Sequence, residues 1–117
     1  MLKGLGGLGG LGDMAKMMKS AQDLQTKLTA LQEELAGTEV TGESGGGLVT
    51  ATATAKGTLT ALSIDPSLFR PEDREVVEDL ILAAIREAQA RATAHASAEM
   101  ARLSESMGLP AGMKLPF

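Results

Sequence analysis

The sequence has no cysteine, no tryptophan and no tyrosine, a single histidine and only two phenylalanines, Phe69 and Phe117. Without cysteine there is no disulfide framework, no thiolate zinc site and no thiol nucleophile. His95 alone cannot build a histidine-cluster metal centre and leaves little acid–base equipment. With so few rings there is no platform for stacking unpaired bases. The core must come from Leu, Ile, Val, Met and Ala. A positive charge balance is missing too: 11 Lys plus Arg face 15 Asp plus Glu, a formal charge of −4. Composition alone therefore does not point to phosphate binding. No apolar run approaches a bilayer span, and glycine interrupts the first residues too often for a signal peptide. The expectation is a soluble, cytoplasmic, non-enzymatic protein with no cofactor and no metal. Its 117 residues fit one small domain. A core this poor in aromatics makes an oligomer the natural way to gain stability.

What is present is strongly patterned. Residues 1–13 are a Gly/Leu-rich run that reads as a flexible arm. Met14, Met17, Ala21, Leu24, Leu28, Leu31 and Leu35 then recur in steps of three and four, a heptad stripe for the core or a dimer contact, with Gly37 as the expected stop. Glu39–Thr41 reads as a short strand, and Gly42 with 44–47 as a turn. Leu48–Lys56 alternates strictly, with Val49, Ala51, Ala53 and Ala55 on one face and Thr50, Thr52, Thr54 and Lys56 on the other. The alanine face is shallow, which suits the close approach of a helix. After a turn at Gly57, Thr58–Ile64 completes a three-stranded antiparallel meander.

Asp65-Pro66 closes the sheet, and Pro71 is expected to open a last helix running to about Ser106. Val77, Leu80, Ile81 and Ala84 form the apolar face of its first half. Arg91, His95 and Arg102 continue that face in the second half, beside a narrower stripe of Ile85, Ala88, Ala92, Ala96, Leu103 and Met107. The first half should therefore pack on the sheet and the second extend beyond it. The fold class is α+β: helix, three-stranded antiparallel sheet, long helix.

Several stretches in this order resemble one family. Met17-Met18-Lys19-Ser20-Ala21-Gln22 with Leu24-Gln25 is similar to the opening of the YbaB/EbfC nucleoid-associated proteins, and Val40 through Val49 to their Gly-rich hairpin. Ile64-Asp65-Pro66-Ser67-Leu68, Glu78-Asp79-Leu80-Ile81 and the tail from Gly108-Leu109-Pro110 to Leu115-Pro116-Phe117 also match, so the resemblance covers nearly everything from Met14 onward. It implies an α-β-β-β-α domain over 14–107, flanked by the arm and a Pro/Gly-containing tail over 108–117. It also implies a bacterial, cytoplasmic homodimer with joined sheets and projecting helical arms that binds duplex DNA without catalysis, is associated with the nucleoid and influences gene expression. The chain departs from the family at Thr50, Thr54, Thr58 and Thr60, where relatives carry Lys or other polar residues, at Ala55, where glycine is common, and at Arg70, a poor helix cap.

Phosphate contact needs several positive groups presented together. Lys16, Lys19 and Lys27 flank the first helix's stripe, and Arg86, Arg91 and Arg102 lie in the second half of the last helix. These six are the candidate DNA-binding residues, with Met14, Met17, Leu24, Leu28, Leu31 and Leu35 the candidate core or dimer stripe. No recognition-helix motif appears, so binding should have low sequence specificity. The alternative is a dimeric adaptor that holds a protein partner through the N-terminal arm, the Met-rich helix or the C-terminal tail. The glycine runs lack the Gly-Lys-Ser/Thr ending of a phosphate-binding loop.

Overall fold

A computed structural model describes residues 2–108, with side chains described from residue 12 onward. The expected C-terminal tail lies outside the described residues except for Gly108, and most side chains of the expected N-terminal arm lie outside them too. The elements are a first helix, α1 (Leu2–Gly37), three strands, β1 (Glu39–Ser44), β2 (Val49–Thr54) and β3 (Leu59–Ile64), and a last helix, α2 (Arg74–Ser106). The chain divides into two compact units, residues 1–31 and 32–117.

The first unit is most of α1. Its helix begins at Leu2, ahead of the Met14 start of the stripe. Lys16, Lys19 and Lys27 are exposed, Leu24 and Leu28 are half-buried, and Leu31 is buried.

In the second unit the helix closes differently from expectation. Gly37 is its last helical residue and does not take a left-handed conformation. Thr38 ends the helix instead: its N–H donates to the Leu35 carbonyl at 3.3 Å and its Oγ1 to the Glu34 carbonyl at 2.7 Å. The strands form one antiparallel sheet in the order β1-β2-β3, as the alternation implied. β1 is longer than read from the sequence, and Gly42 lies inside it, opposite Ala51, rather than in a turn. β2 is trimmed at both ends and β3 by its first residue, and a bulge at Thr52/Ala53 shifts the β2–β3 register. The β1–β2 turn is made by Gly45, Gly46 and Gly47, all at positive φ.

Val49, Ala51 and Ala53 are fully buried and Ala55 nearly so, while Ala84, Ala88 and Ala92 form the matching buried stripe of α2. Val77, Leu80, Ile81 and Ile85 pack around this core. Gly42 explains the closeness: a Cβ there would collide with the backbone of Ala84 and Ala88. A glycine inside a strand under an alanine stripe lets helix and strand approach with only methyls and hydrogens between them. The first half of α2 thus packs on the sheet, as expected, with no position after Ala92 fully buried.

Asp65 opens a 3-10 turn over Pro66–Leu68, its Oδ1 accepting from the Ser67 N–H at 2.9 Å. Pro71 opens a second 3-10 turn, Pro71–Asp73, and not α2 itself, which begins at Arg74. Arg70 stands at the cap position without a side-chain capping bond. It reaches Glu72 and Asp73 instead.

Candidate nucleic-acid interface

On a helix of 3.6 residues per turn, Lys16 and Lys27 fall within about 20° of each other and Lys19 about 60° to one side. The three therefore share one side of α1, with Lys16 and Lys27 about a quarter-turn from the line of Met17 and Leu28 and Lys19 nearly opposite it. All three are exposed, and none makes an ion pair among the described residues. Asp23 shares their side of the helix and dilutes the positive field. The stripe itself grades from solvent to core: Met14 and Met17 are 59% and 70% exposed, and Leu31 and Leu35 only 7% and 5%.

The three arginines of α2 are not brought together. Arg86 is exposed on the side of the helix opposite the buried alanines. Arg91 lies at the margin of the sheet-facing side, where Nη1 donates to the Thr41 carbonyl at 3.0 Å and Nη2 pairs with Glu87 Oε1 at 2.6 Å. Arg102 follows on the same side, about 16 Å further along the axis, and pairs with Glu99 at 3.2 Å. Each of the last two must share its charge with an acid one turn away. Sequence reasoning passed over Lys56, which is exposed at the β2–β3 turn; its place beside Gly57 was the available signal.

Acids in the segment between β3 and α2 give the opposite character there. The Asp65 carboxyl is held below its ordinary pKa by the Ser67 hydroxyl and then by the Ser67 N–H. Glu72 is lowered by its own backbone N–H and then by the Arg70 guanidinium. Beside them an open apolar groove of about 440 Å³ runs between Phe69, Pro71, Arg74 and Val77. Among the described residues no cluster of three or more His, Asp or Glu could hold a metal ion, and no helix is long and apolar enough to cross a membrane.

One helix carries a row of lysines that are unpaired among the described residues, and a second long helix roofs the small sheet. The sequence matches the model of the YbaB/EbfC DNA-binding family over residues 10–107. The chain belongs to that family, which is one of DNA-binding proteins and not of enzymes. It is 49% identical to a nucleoid-associated protein of Brucella anthropi over 97 residues, covering 83% of this chain and 91% of the relative, and 48% identical to one of Brucella ovis over the same length. A crystal structure of an uncharacterized protein from Helicobacter pylori is similar in fold, with a TM-score of 0.58 and 25% identity over 68% of this chain and 93% of the other.

Proposed function

We propose that this protein is a nucleoid-associated, homodimeric DNA-binding protein that grips duplex DNA through phosphate contacts with little sequence preference. The observation that carries the reading is the exposed, unpaired row of Lys16, Lys19 and Lys27 in a chain of this family. A homodimer presents the row twice and offsets the net charge of −4 locally. Arg86 adds a free positive group, whereas Arg91 and Arg102 contribute only by leaving Glu87 and Glu99.

The sheet supports the dimer. α2 lies over β1 and β2, while β3 is exposed along almost its whole length. Leu59 and Leu62 stand on the same face as the buried alanines of β2 yet remain 43% and 47% exposed. An uncovered apolar edge strand of this kind invites another strand, and a second copy joining there buries both leucines.

The test is fluorescence anisotropy with a random-sequence duplex titrated across salt. If six phosphates are neutralised per dimer, log affinity should fall against log salt with a slope of about −5, and an unrelated duplex should give the same slope. Absence of binding at low salt rejects the reading. The adaptor alternative then takes its place, supported by Met14, Met17 and Met18, each more than half exposed and adaptable at protein contacts.

A further inference from the structure

A sheet of three strands has two edges, and they differ in this chain. The N–H of Ala55 donates to the Thr38 carbonyl at 2.8 Å. By the alternation of an antiparallel ladder, Val40, Gly42 and Ser44 also turn their backbone groups toward β2, whereas Glu39, Thr41 and Glu43 turn theirs outward. Thr41 is the middle of those three, and its carbonyl is the one that accepts from Arg91. The guanidinium therefore donates to a carbonyl that the N–H of a neighbouring strand would use. Glu87 holds it there through the other terminal nitrogen, and Glu39 and Glu43 place exposed carboxylates on either side. Charged side chains along an edge discourage strand addition. β3, on the opposite side of the sheet, has no such guard among the described residues: its Leu59 and Leu62 are open, and its residues carry no charge.

We propose that Arg91 seals the β1 edge against strand addition, so that a second copy joins only at β3 and assembly closes at two chains. This rests on the joined-sheet reading above. Two open edges would instead let each copy offer β3 and β1 at once, giving contacts that propagate rather than close. Arg91 thereby leaves the set of phosphate-binding residues and becomes a determinant of assembly size.

Sedimentation velocity of the full chain over a wide concentration range reads the outcome. The wild-type chain should keep one size, and Arg91→Ala should shift to larger, concentration-dependent species while its circular dichroism stays that of the folded chain. Adding Thr41→Pro puts a ring on an outward-facing N–H, where no ladder bond is lost, and should return the size to that of the wild type. A folded Arg91→Ala chain that keeps the wild-type size throughout overturns the proposal, as does a folded double variant that assembles as far as Arg91→Ala alone. Hydrogen exchange on the unmodified chain gives a second way to overturn the proposal without any variant. Fast exchange at the Thr41 amide fits a sealed, unpaired edge, and slow exchange there shows a strand added to β1 and overturns it. Leu62→Glu tests the joined-sheet reading separately. If it leaves the wild-type size unchanged, that reading fails while the Arg91→Ala comparison still decides the β1 edge.

Discussion

Gly42 of β1 lies against Ala88 of α2 so closely that a Cβ on the glycine would strike the Ala88 backbone nitrogen and the Ala84 carbonyl oxygen. Both obstacles belong to the backbone of a hydrogen-bonded helix, which cannot rotate aside as a side chain would. Gly42→Ala should therefore cost on the order of 3 kcal/mol, read as a lowered urea midpoint. Ala88→Gly in the same chain should not rescue it, because the methyl it removes is not what the new Cβ meets.

Gly46 tests a different property of glycine. It sits at φ 69° with nothing near its missing side chain. Gly46→Ala meets no neighbour and should lose only the left-handed backbone preference, about 1–2 kcal/mol. Chemical denaturation with an unchanged m-value would check this.

The lysine row makes a prediction about DNA. Lys16→Glu, Lys19→Glu and Lys27→Glu together should leave the fold intact, since all three side chains are exposed. They should weaken duplex binding at least tenfold and flatten the salt dependence toward zero. Arg102→Glu should cost less, because Glu99 already holds that guanidinium. Anisotropy titrations at two salt concentrations separate the two cases.

Leu62→Glu should yield a folded monomer. The residue is nearly half exposed in the single chain, so the charge is tolerated there, whereas burying it in a joined sheet is costly. Light scattering coupled to gel filtration reads the mass, and circular dichroism the fold.

Acid should weaken the segment between β3 and α2. Asp65 and Glu72 both have folded pKa values below their ordinary ones. Such groups contribute stability that is present above the unfolded pKa and lost as pH falls through the folded one. Asp65→Ala should lower the thermal midpoint at neutral pH, and the difference from wild type should shrink as the carboxyls protonate, below about pH 4. Asp65→Asn, which keeps an acceptor for the Ser67 N–H, should lose less. Thermal melts across that range decide it.

The sequence announced the elements well wherever one face alternates or repeats. The Val49-Ala51-Ala53-Ala55 face is strictly periodic and could be read as the side a helix approaches, whereas the sequence pattern divides Ala84 from Ala88 and Ala92, and only the fold joins the three into one buried stripe. Gly42 was misread because glycine means a turn in most local contexts, and only the helix overhead makes it a strand residue. Gly37 was misread for the converse reason: the Thr38 hydroxyl satisfies the Glu34 carbonyl and its N–H the Leu35 carbonyl, so no left-handed glycine is needed. The six basic candidates were legible as charges but not as a surface. Arg91 is bound to a carbonyl fifty positions away in sequence, a pairing that no local pattern encodes.

The methyl-lined seam between α2 and the sheet has one more consequence. Along this seam alanine and glycine make a smooth track that sets the height of the helix above the strands better than its position along them, while Val77, Leu80, Ile81 and Ile85 pack at its margins. Two polar ties supply what the track lacks. Ser44 Oγ donates to the Leu80 carbonyl at 2.5 Å, and Arg91 reaches back to Thr41 at 3.0 Å. Their anchor points lie about 16 Å apart on the helix axis and about 10 Å apart along the strand. Together they act as two pins through a sliding joint, fixing the longitudinal setting of the helix and hence where its far end stands relative to the sheet.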